Sequence, residues 1–179
     1  MKVIDLFCGL GGWVQSFPET WDITGYDIMD FSGRYPGKFI QADLLAYSDF
    51  QHADLVVASP PCTDFSKASF PPTWKSVQRY PPNIPLAVKL FERAREIIRQ
   101  VRPEYWIIEN VRGSQKYMGR ADMHYGSRFL WTNMALNLPQ GSDMYGKWLV
   151  SPSPDRPAVR AVIPRSLSVA VRDYIEAGI

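Results

Sequence analysis

The sequence has little of what identifies several large classes of protein. Two cysteines are too few for a disulfide framework, and Cys8 and Cys62 are not spaced like zinc ligands, so each is either a reactive or a buried thiol. No apolar run reaches transmembrane length, and Asp5 interrupts any signal-peptide core at the start. A net charge of +2 is too small to identify a nucleic-acid partner. These features predict a cytoplasmic protein with no membrane segment and no metal.

The residues that are present predict an α/β fold. Hydrophobic residues make up 46% of the 179 residues and charged residues 21%, which is typical of one globular domain. Short apolar segments typical of strands alternate with helical patterns, of which residues 86–101 are the clearest. A last helix is expected after Ser166. The alternation predicts a doubly wound, mostly parallel sheet in a single domain over residues 1–179.

A glycine-rich turn follows the first predicted strand, residues 2–7. Three glycines between positions 9 and 12 let the backbone approach a ligand closely, and a short helix is expected over residues 13–17. The spacing is not G-x-G-x-x-G, because Val14 occupies the last position. That disfavours a dinucleotide-binding oxidoreductase. A tight connection without a ligand remains the alternative interpretation of the turn.

Carboxylates stand at the ends of three predicted strands. Asp27 follows the second strand, about 20 residues after the glycine turn, where folds of this class place a carboxylate against the hydroxyls of a ribose. Asp43 ends the third strand and Glu109 the fifth. Acidic residues at such places also cap helices. Their repetition nevertheless favours a shared site at the carboxyl edge of the sheet.

A reactive cysteine is predicted at the same edge. Pro60 and Pro61 end the fourth predicted strand and place Cys62 just outside the sheet, where open α/β sheets keep their chemistry. Residues 63–85 are expected to form a long active-site loop without secondary structure of its own. Aromatic and basic residues alternate in it, which suits either stacking on bases or packing onto the domain.

Three segments, in this order, resemble the motifs of the DNA (cytosine-5) methyltransferases. They are DLFCGLGG at residues 5–12, SPPC at residues 59–62 with Phe65 and Ser66 after it, and ENV at residues 109–111. The resemblance implies the Rossmann-like sheet of methyltransferases, S-adenosylmethionine as the cofactor and DNA as the partner. The residues that it assigns to the S-adenosylmethionine site are Phe7, Gly9, Leu10, Gly11, Gly12, Asp27, Ile28, Asp43, Leu44 and Pro60.

The resemblance also implies individual roles in that site. Asp27 would hold the ribose hydroxyls, and Asp43 would accept a hydrogen bond from the adenine amine. Ile28 and Leu44 would cover the two faces of the adenine. Pro60 would mark where the methyl donor and the target base meet.

The implied chemistry explains why both a thiol and an acid are needed. Carbon 5 of cytosine is a poor nucleophile, and attack by the Cys62 thiolate at carbon 6 converts the ring into a reactive enamine. Glu109, kept protonated by burial or by the base, would donate to ring nitrogen 3. Arg128 is a candidate for the base pocket, with a plain surface arginine as the alternative. Cys8 is expected to be a small, semi-buried residue without a catalytic part.

The chain departs from the family after residue 111. No Q-x-R-x-R motif or Gly-Asn-Ser segment is present, and the stretch between Arg128 and Ser166 is too short for the usual target-recognition domain. Residues 129–165 are therefore expected to be a shortened, degenerate C-terminal region, with strands at 129–132 and 148–150. The last helix is expected to close the cofactor pocket.

Several alternatives stay open at this point. The DNA could be duplex or single-stranded, and a recognition subunit or a second copy of the chain could supply specificity. The same chemistry could act on RNA or on a free cytidine nucleotide. The chain could also be a non-catalytic cofactor-binding or DNA-binding subunit of a split methyltransferase.

Overall fold

The structure is a computed structural model that describes residues 1–68, 70–138 and 163–178. The strands are β1 (Lys2–Leu6), β2 (Asp22–Asp27), β3 (Lys38–Gln41), β4 (Leu55–Ala58), β5 (Tyr105–Val111), β6 (Met123–Tyr125) and β7 (Arg128–Thr132). The helices are α1 (Thr63–Ala68), α2 (Lys75–Arg79), α3 (Ile84–Val101), α4 (Gln115–Met118) and α5 (Arg165–Gly178). A turn of 3-10 helix, Arg112–Ser114, precedes α4.

Seven strands form one sheet in the order β3-β2-β1-β4-β5-β7-β6. Strands β1 to β5 run parallel, and β7 is antiparallel to both of its neighbours. The chain builds outwards from β1 to β3, returns to place β4 beside β1, and then continues in the other direction. This confirms the predicted doubly wound, mostly parallel, Rossmann-like fold. The reversal between β1 and β4 leaves a crevice at their carboxyl ends, where open sheets bind ligands.

Helices cover both faces of the sheet. On one face α3 buries Phe91, Ala94 and Ile97, and on the other α5 buries Leu167 and Val171. All four residues of β4 are fully buried, because this strand lies in the middle of the sheet with a helical layer on each side. A continuous apolar run is the pattern expected of such a strand.

The amphipathic helix predicted at residues 86–101 is confirmed as α3. Asn83 caps it, since its Oδ1 accepts from the N–H of Leu86 at 3.2 Å. Arg102 ends it in the left-handed conformation with φ 53°, and its N–H donates to the carbonyl of Ile98 at 2.8 Å. None of the helices in the described ranges is long and apolar enough to cross a membrane.

Some local predictions were wrong. Residues 13–17 form consecutive turns in place of a helix, because their hydrogen bonds close over three residues, as from the N–H of Val14 to the carbonyl of Gly11. Residues 63–85 are not structureless, since they contain α1 and α2.

The C-terminal part gave mixed results. The strand predicted at residues 129–132 is β7, and the last helix is α5. Strand β6 was not predicted. The strand predicted at residues 148–150 lies outside the described residues.

Candidate active site

The strand register aligns four functional positions at the carboxyl edge of the sheet. The parallel pairings between β2 and β1, β1 and β4, and β4 and β5 all end at the same level of the sheet, in one row of adjacent residues. The residues that directly follow this row are Asp27, Phe7, Ser59 and Glu109. Both the carboxylate predicted for a ribose and the one predicted for a base therefore lie along a single edge, on opposite sides of the β1–β4 crevice.

Two cavities open along this edge and meet at Cys62. The first cavity has a volume of about 340 Å³, and the second cavity has a volume of about 210 Å³. Ser59, Pro61 and Cys62 line both. The residues that line the first cavity are Phe7, Cys8, Gly9, Leu10, Gly12, Trp13, Asp27, Ile28, Met29, Phe31, Ser59, Pro61, Cys62, Thr63 and Ile163. Those of the second are Ser59, Pro60, Pro61, Cys62, Glu109, Val111, Ser127 and Arg128.

The glycine turn forms one wall of the first cavity. Phe7 and Gly9 have positive φ angles of 56° and 50°, which turn the chain sharply after β1. A Cβ placed on Gly9 would meet nothing within 4 Å, so a ligand can approach the backbone at this point.

Asp27 is held at the same wall by two backbone hydrogen bonds. Its Oδ2 accepts from the N–H of Gly9 and its Oδ1 from the N–H of Met29, both at 3.0 Å. Ile28 and Met29 lie beside it with 64% and 62% of their surface exposed. Large apolar side chains this exposed at the mouth of a cavity are suited to cover a flat apolar ligand.

The segment before α5 closes the first cavity from the other side. Ile163 lines it, and a Cβ on Gly12 would lie only 2.5 Å from the Ile163 backbone nitrogen. The Gln15 Nε2 atom donates to the carbonyls of Gly12 and Ile163 at 2.7 and 2.8 Å. Gly12 is therefore required by the close approach of two backbone segments.

Two further side chains hold the wall together and were not found from the sequence. Ser168 on α5 is fully buried; its Oγ donates to the carbonyl of Trp13 at 2.5 Å and accepts from the N–H of Ser16 at 3.1 Å. The Trp13 indole donates to Ser59 Oγ at 2.9 Å. These bonds join α5, the glycine turn and the end of β4.

Of the residues predicted to bind S-adenosylmethionine, six line the first cavity, namely Phe7, Gly9, Leu10, Gly12, Asp27 and Ile28. Gly11 does not: a Cβ there would lie 2.6 Å from Pro36 Cδ, so this glycine is needed for packing of the turn. Pro60 lines the second cavity and not the first.

Asp43 and Leu44 are not brought to the first cavity. After β3 the chain turns, and Asp43 uses its Oδ1 to accept from the N–H of Leu45 at 3.0 Å, as turn-forming Asp residues commonly do. Leu44 is 3% exposed and packs in the core on the α3 side. Their roles at the adenine stay predictions.

The second cavity brings Cys62, Glu109 and Arg128 together from three separate segments. Cys62 follows the two prolines after β4, Glu109 lies in β5, and Arg128 begins β7. Asn110, which is fully buried, donates from Nδ2 to the carbonyl of Pro60 at 2.9 Å. This bond, which the sequence did not indicate, fixes the proline turn and its cysteine against β5.

Arg128 and Glu109 form an ion pair inside the second cavity. Arg128 lies opposite Val111 in the β5–β7 pairing, so its side chain shares a face with that of Glu109, two residues earlier in β5. Arg128 Nη1 lies 3.3 Å from Glu109 Oε1, and the two side chains are 17% and 5% exposed. Burial raises the pKa of Glu109 above its ordinary value, while the Arg128 charge and hydrogen bond oppose this rise.

The thiol of Cys62 is half-buried beside this ion pair. Burial raises its pKa, and the neighbouring charge of Glu109 raises it further, whereas Arg128 lowers it. Cys8 is buried, as expected, and desolvation raises the pKa of its thiol far above the usual range. Between the two cysteines, only Cys62 therefore has both an acid and a cation beside it.

Within the described ranges, no three His, Cys, Asp or Glu side chains are grouped so that they could hold a metal ion. The arrangement instead combines a thiol, an acid whose protonated form is favoured by burial, and a cation next to a second cavity. Such a set can perform nucleophilic attack on a ring while donating a proton to it.

The first two thirds of the chain resemble a known family. The family model described as C-5 cytosine-specific DNA methylase matches residues 1–120. No curated protein matches the sequence. Among solved structures, the chain is similar to a prophage-encoded E. coli protein described as a DNA modification methyltransferase, with 20% identity, a TM-score of 0.46 and coverage of 66% of this chain and 35% of that one.

It is also similar to the plantazolicin methyltransferase BpumL, solved in complex with SAH. The identity is 17% and the TM-score 0.38, over 65% of this chain and 41% of that one. The chain thus spans less than half the length of either protein.

Proposed function

Because this chain belongs to the C-5 cytosine-specific DNA methylases, we propose that it transfers a methyl group from S-adenosylmethionine to carbon 5 of cytosine in DNA. The observation that carries the proposal is the second cavity, in which Cys62, Glu109 and Arg128 come together. It adjoins the first cavity through Cys62 and Pro61. A methyl donor in one cavity and a cytosine in the other would be neighbours.

The first cavity fits S-adenosylmethionine in size and in chemistry. Its volume of about 340 Å³ lies in the range of pockets for small ligands. The Asp27 carboxylate can accept from ribose hydroxyls, the open backbone at Gly9 admits close approach, and Ile28 can cover the adenine. When bound there, S-adenosylmethionine supplies an electrophilic methyl group.

Cys62 is the nucleophile in this proposal. Its Sγ forms a bond to carbon 6 of the cytosine as the thiol proton leaves to water, and the ring electrons shift towards carbon 5 and nitrogen 3. Arg128 lowers the pKa of Cys62 and so favours the thiolate. The prolines and the Asn110 bond to Pro60 hold the sulfur in place.

Glu109 acts as the acid. Burial raises its pKa, which favours the protonated carboxyl that can donate to ring nitrogen 3 as negative charge develops there. After methylation a water takes the carbon 5 proton, the carbon–sulfur bond breaks, the released Cys62 thiolate takes a proton back from water, and nitrogen 3 returns its proton to Glu109. The products are 5-methylcytosine, the demethylated cofactor and one proton.

The depth of the second cavity sets a condition on the substrate. Glu109 is only 4% exposed, so a cytosine must leave any base stack to reach it. The joint presence of thiol, acid and arginine favours a catalytic protein over a subunit that only binds the cofactor or DNA. Methylation of RNA or of a free nucleotide stays an alternative that substrate comparison resolves.

A trapping assay tests the proposal. An oligonucleotide with 5-fluorocytosine should form a lasting covalent complex in the presence of S-adenosylmethionine, because the fluorine at carbon 5 cannot be removed as a proton would be. Peptide mapping should place the adduct on Cys62, and Cys62→Ala should abolish it. Cys8→Ala is the matched control and should still form the adduct. An adduct on Cys8, or methylation that persists in Cys62→Ala, contradicts the mechanism.

A further inference from the structure

A large open groove leads away from the second cavity on the side of β6. We call it the basic groove; its volume is about 800 Å³, and the residues important here are Phe70, Arg112, Arg120, His124 and Phe129. Val111 and Ser127 line both the basic groove and the second cavity. A chain molecule that places one unit in the second cavity would therefore continue along the basic groove.

The charge of the basic groove suits an anionic strand. Arg112 and Arg120 are exposed, and neither forms an ion pair within the described part of the chain. Asp122 is the one carboxylate among the described lining residues. Its Oδ2 is already engaged by the N–H of Thr132 at 2.9 Å. Two free guanidinium groups can thus contact phosphates.

Exposed aromatic planes adjoin these arginines. The rings of Phe70 and Trp74 are stacked with centroids 4.8 Å apart and planes at 19°, and their exposed fractions are 43% and 50%. His124 stacks on Phe129 at 5.4 Å and 24°. Stacked rings that face solvent can extend their stack onto a base, but only onto one whose face is not covered by neighbouring bases.

We propose that the basic groove binds single-stranded DNA next to the target cytosine, so that the substrate of this chain is cytosine in an unpaired strand. The inference rests on the proposed function for the choice of DNA and cytosine. Its own support is the continuity of the groove with the second cavity, the two unpaired arginines and the exposed aromatic pair. In a single strand the cytosine reaches Cys62 without the cost of opening a duplex.

Fluorescence anisotropy with a short labelled oligonucleotide that contains one cytosine tests this directly. The single strand should bind more tightly than the same sequence as a duplex or as RNA. Arg112→Ala and Arg120→Ala should each weaken binding and reduce the slope of log affinity against log salt by about 0.7, the value for one phosphate contact to a single strand. The corresponding lysine variants should restore most of the slope.

Arg99→Ala is the matched control for these variants. Arg99 is exposed and lies in the last turn of α3, which leads to the amino end of β5 at the opposite edge of the sheet. It should leave affinity and salt slope unchanged. Trp74→Ala, at an exposed position, should weaken binding about tenfold through lost base stacking, and thermal unfolding should confirm that each variant is folded.

The outcomes separate this inference from the proposed function. Equal or tighter binding of duplex or RNA, or arginine variants that behave like Arg99→Ala, overturns the single-strand inference even if Cys62 is trapped by 5-fluorocytosine. Single-strand binding that depends on Arg112 and Arg120 but gives no adduct supports the groove and contradicts the methyl transfer.

Discussion

Replacing Gly12 by alanine tests how the C-terminal helix and the first cavity depend on each other. Gly12 has no positive φ, so the added methyl group causes no backbone strain and acts through packing alone. It would lie 2.5 Å from the Ile163 nitrogen and 3.2 Å from the Ile163 Cβ. A backbone atom cannot rotate away, so the segment before α5 must move by roughly 1 Å.

Moving the segment before α5 should change both the folding stability and the affinity for S-adenosylmethionine. Overpacking of this kind costs about 1–3 kcal/mol of folding stability. The shift also separates Gly12 from Ile163, whose carbonyls share the Gln15 amide, and it moves one wall of the first cavity. We expect S-adenosylmethionine affinity to fall about tenfold, which corresponds to about 1.4 kcal/mol of binding free energy.

Isothermal titration calorimetry with S-adenosylmethionine and thermal unfolding measure the two effects. Gly178→Ala is the matched control, because a Cβ there would lie 3.6 Å from the Tyr105 hydroxyl, an ordinary contact. DNA affinity should be unchanged in both variants. Unaltered cofactor affinity in a folded Gly12→Ala protein would refute the conclusion that Ile163 closes the first cavity.

Three further predictions concern buried charge. Glu109→Gln should slow methyl transfer about 10²-fold. Since burial raises the Glu109 pKa, the stability of the wild-type protein falls as pH rises above the pKa of this carboxyl in the unfolded chain. Urea unfolding should therefore find the variant more stable than the wild type at pH 8 but not at pH 4. Arg128→Met should move the rising limb of the pH–rate profile to higher pH, because Arg128 lowers the pKa of Cys62, and Arg128→Lys should restore much of it; an unmoved limb contradicts this role. Asp5, whose pKa burial raises to about 8, should make stability decline from about pH 4 to pH 8, and Asp5→Asn should flatten that decline in urea titrations; an equal decline in both proteins would show that Asp5 is not its source.

The parts of the fold that the sequence predicted are those that depend on neighbouring residues. The strands up to β5 have apolar runs that stop at a glycine, an aspartate or a proline, and α3 has a one-sided apolar face with Asn83 and Arg102 at its ends. The prediction of a helix after Gly12 was wrong because contacts with residues distant in the sequence decide the structure there. Trp13 is drawn into the core, 1% exposed, by contacts with Ser59 and α5, and these contacts fix a series of turns.

In the site, too, the sequence predicted what depends on neighbouring residues and missed what depends on contacts between distant segments. Cys62 and Glu109 were predicted to share an edge because Cys62 follows the end of β4 and Glu109 follows Ile108, the last residue of β5 that pairs in parallel with β4. Arg128 stayed undecided, because its place beside Glu109 depends on the antiparallel pairing of β5 with β7. Ser168 lies 155 residues from Trp13, and no local pattern marks a hydrogen bond over that distance.

The second cavity combines two groups that must hold opposite protonation states. In the proposed mechanism, attack requires Cys62 as a thiolate, and donation to the ring requires Glu109 as an acid. Ionised Glu109 would raise the pKa of Cys62, so protonation of Glu109 provides the donor and also removes a charge that opposes the thiolate. Burial raises the pKa of Glu109 and so favours its acid form, but it also raises the pKa of Cys62 and so disfavours the thiolate. Arg128 lowers both pKa values. In the proposed mechanism, a cytosine whose nitrogen 3 accepts a hydrogen bond from protonated Glu109 stabilises the acid form, so that binding of the base itself favours the protonation state in which Cys62 can attack.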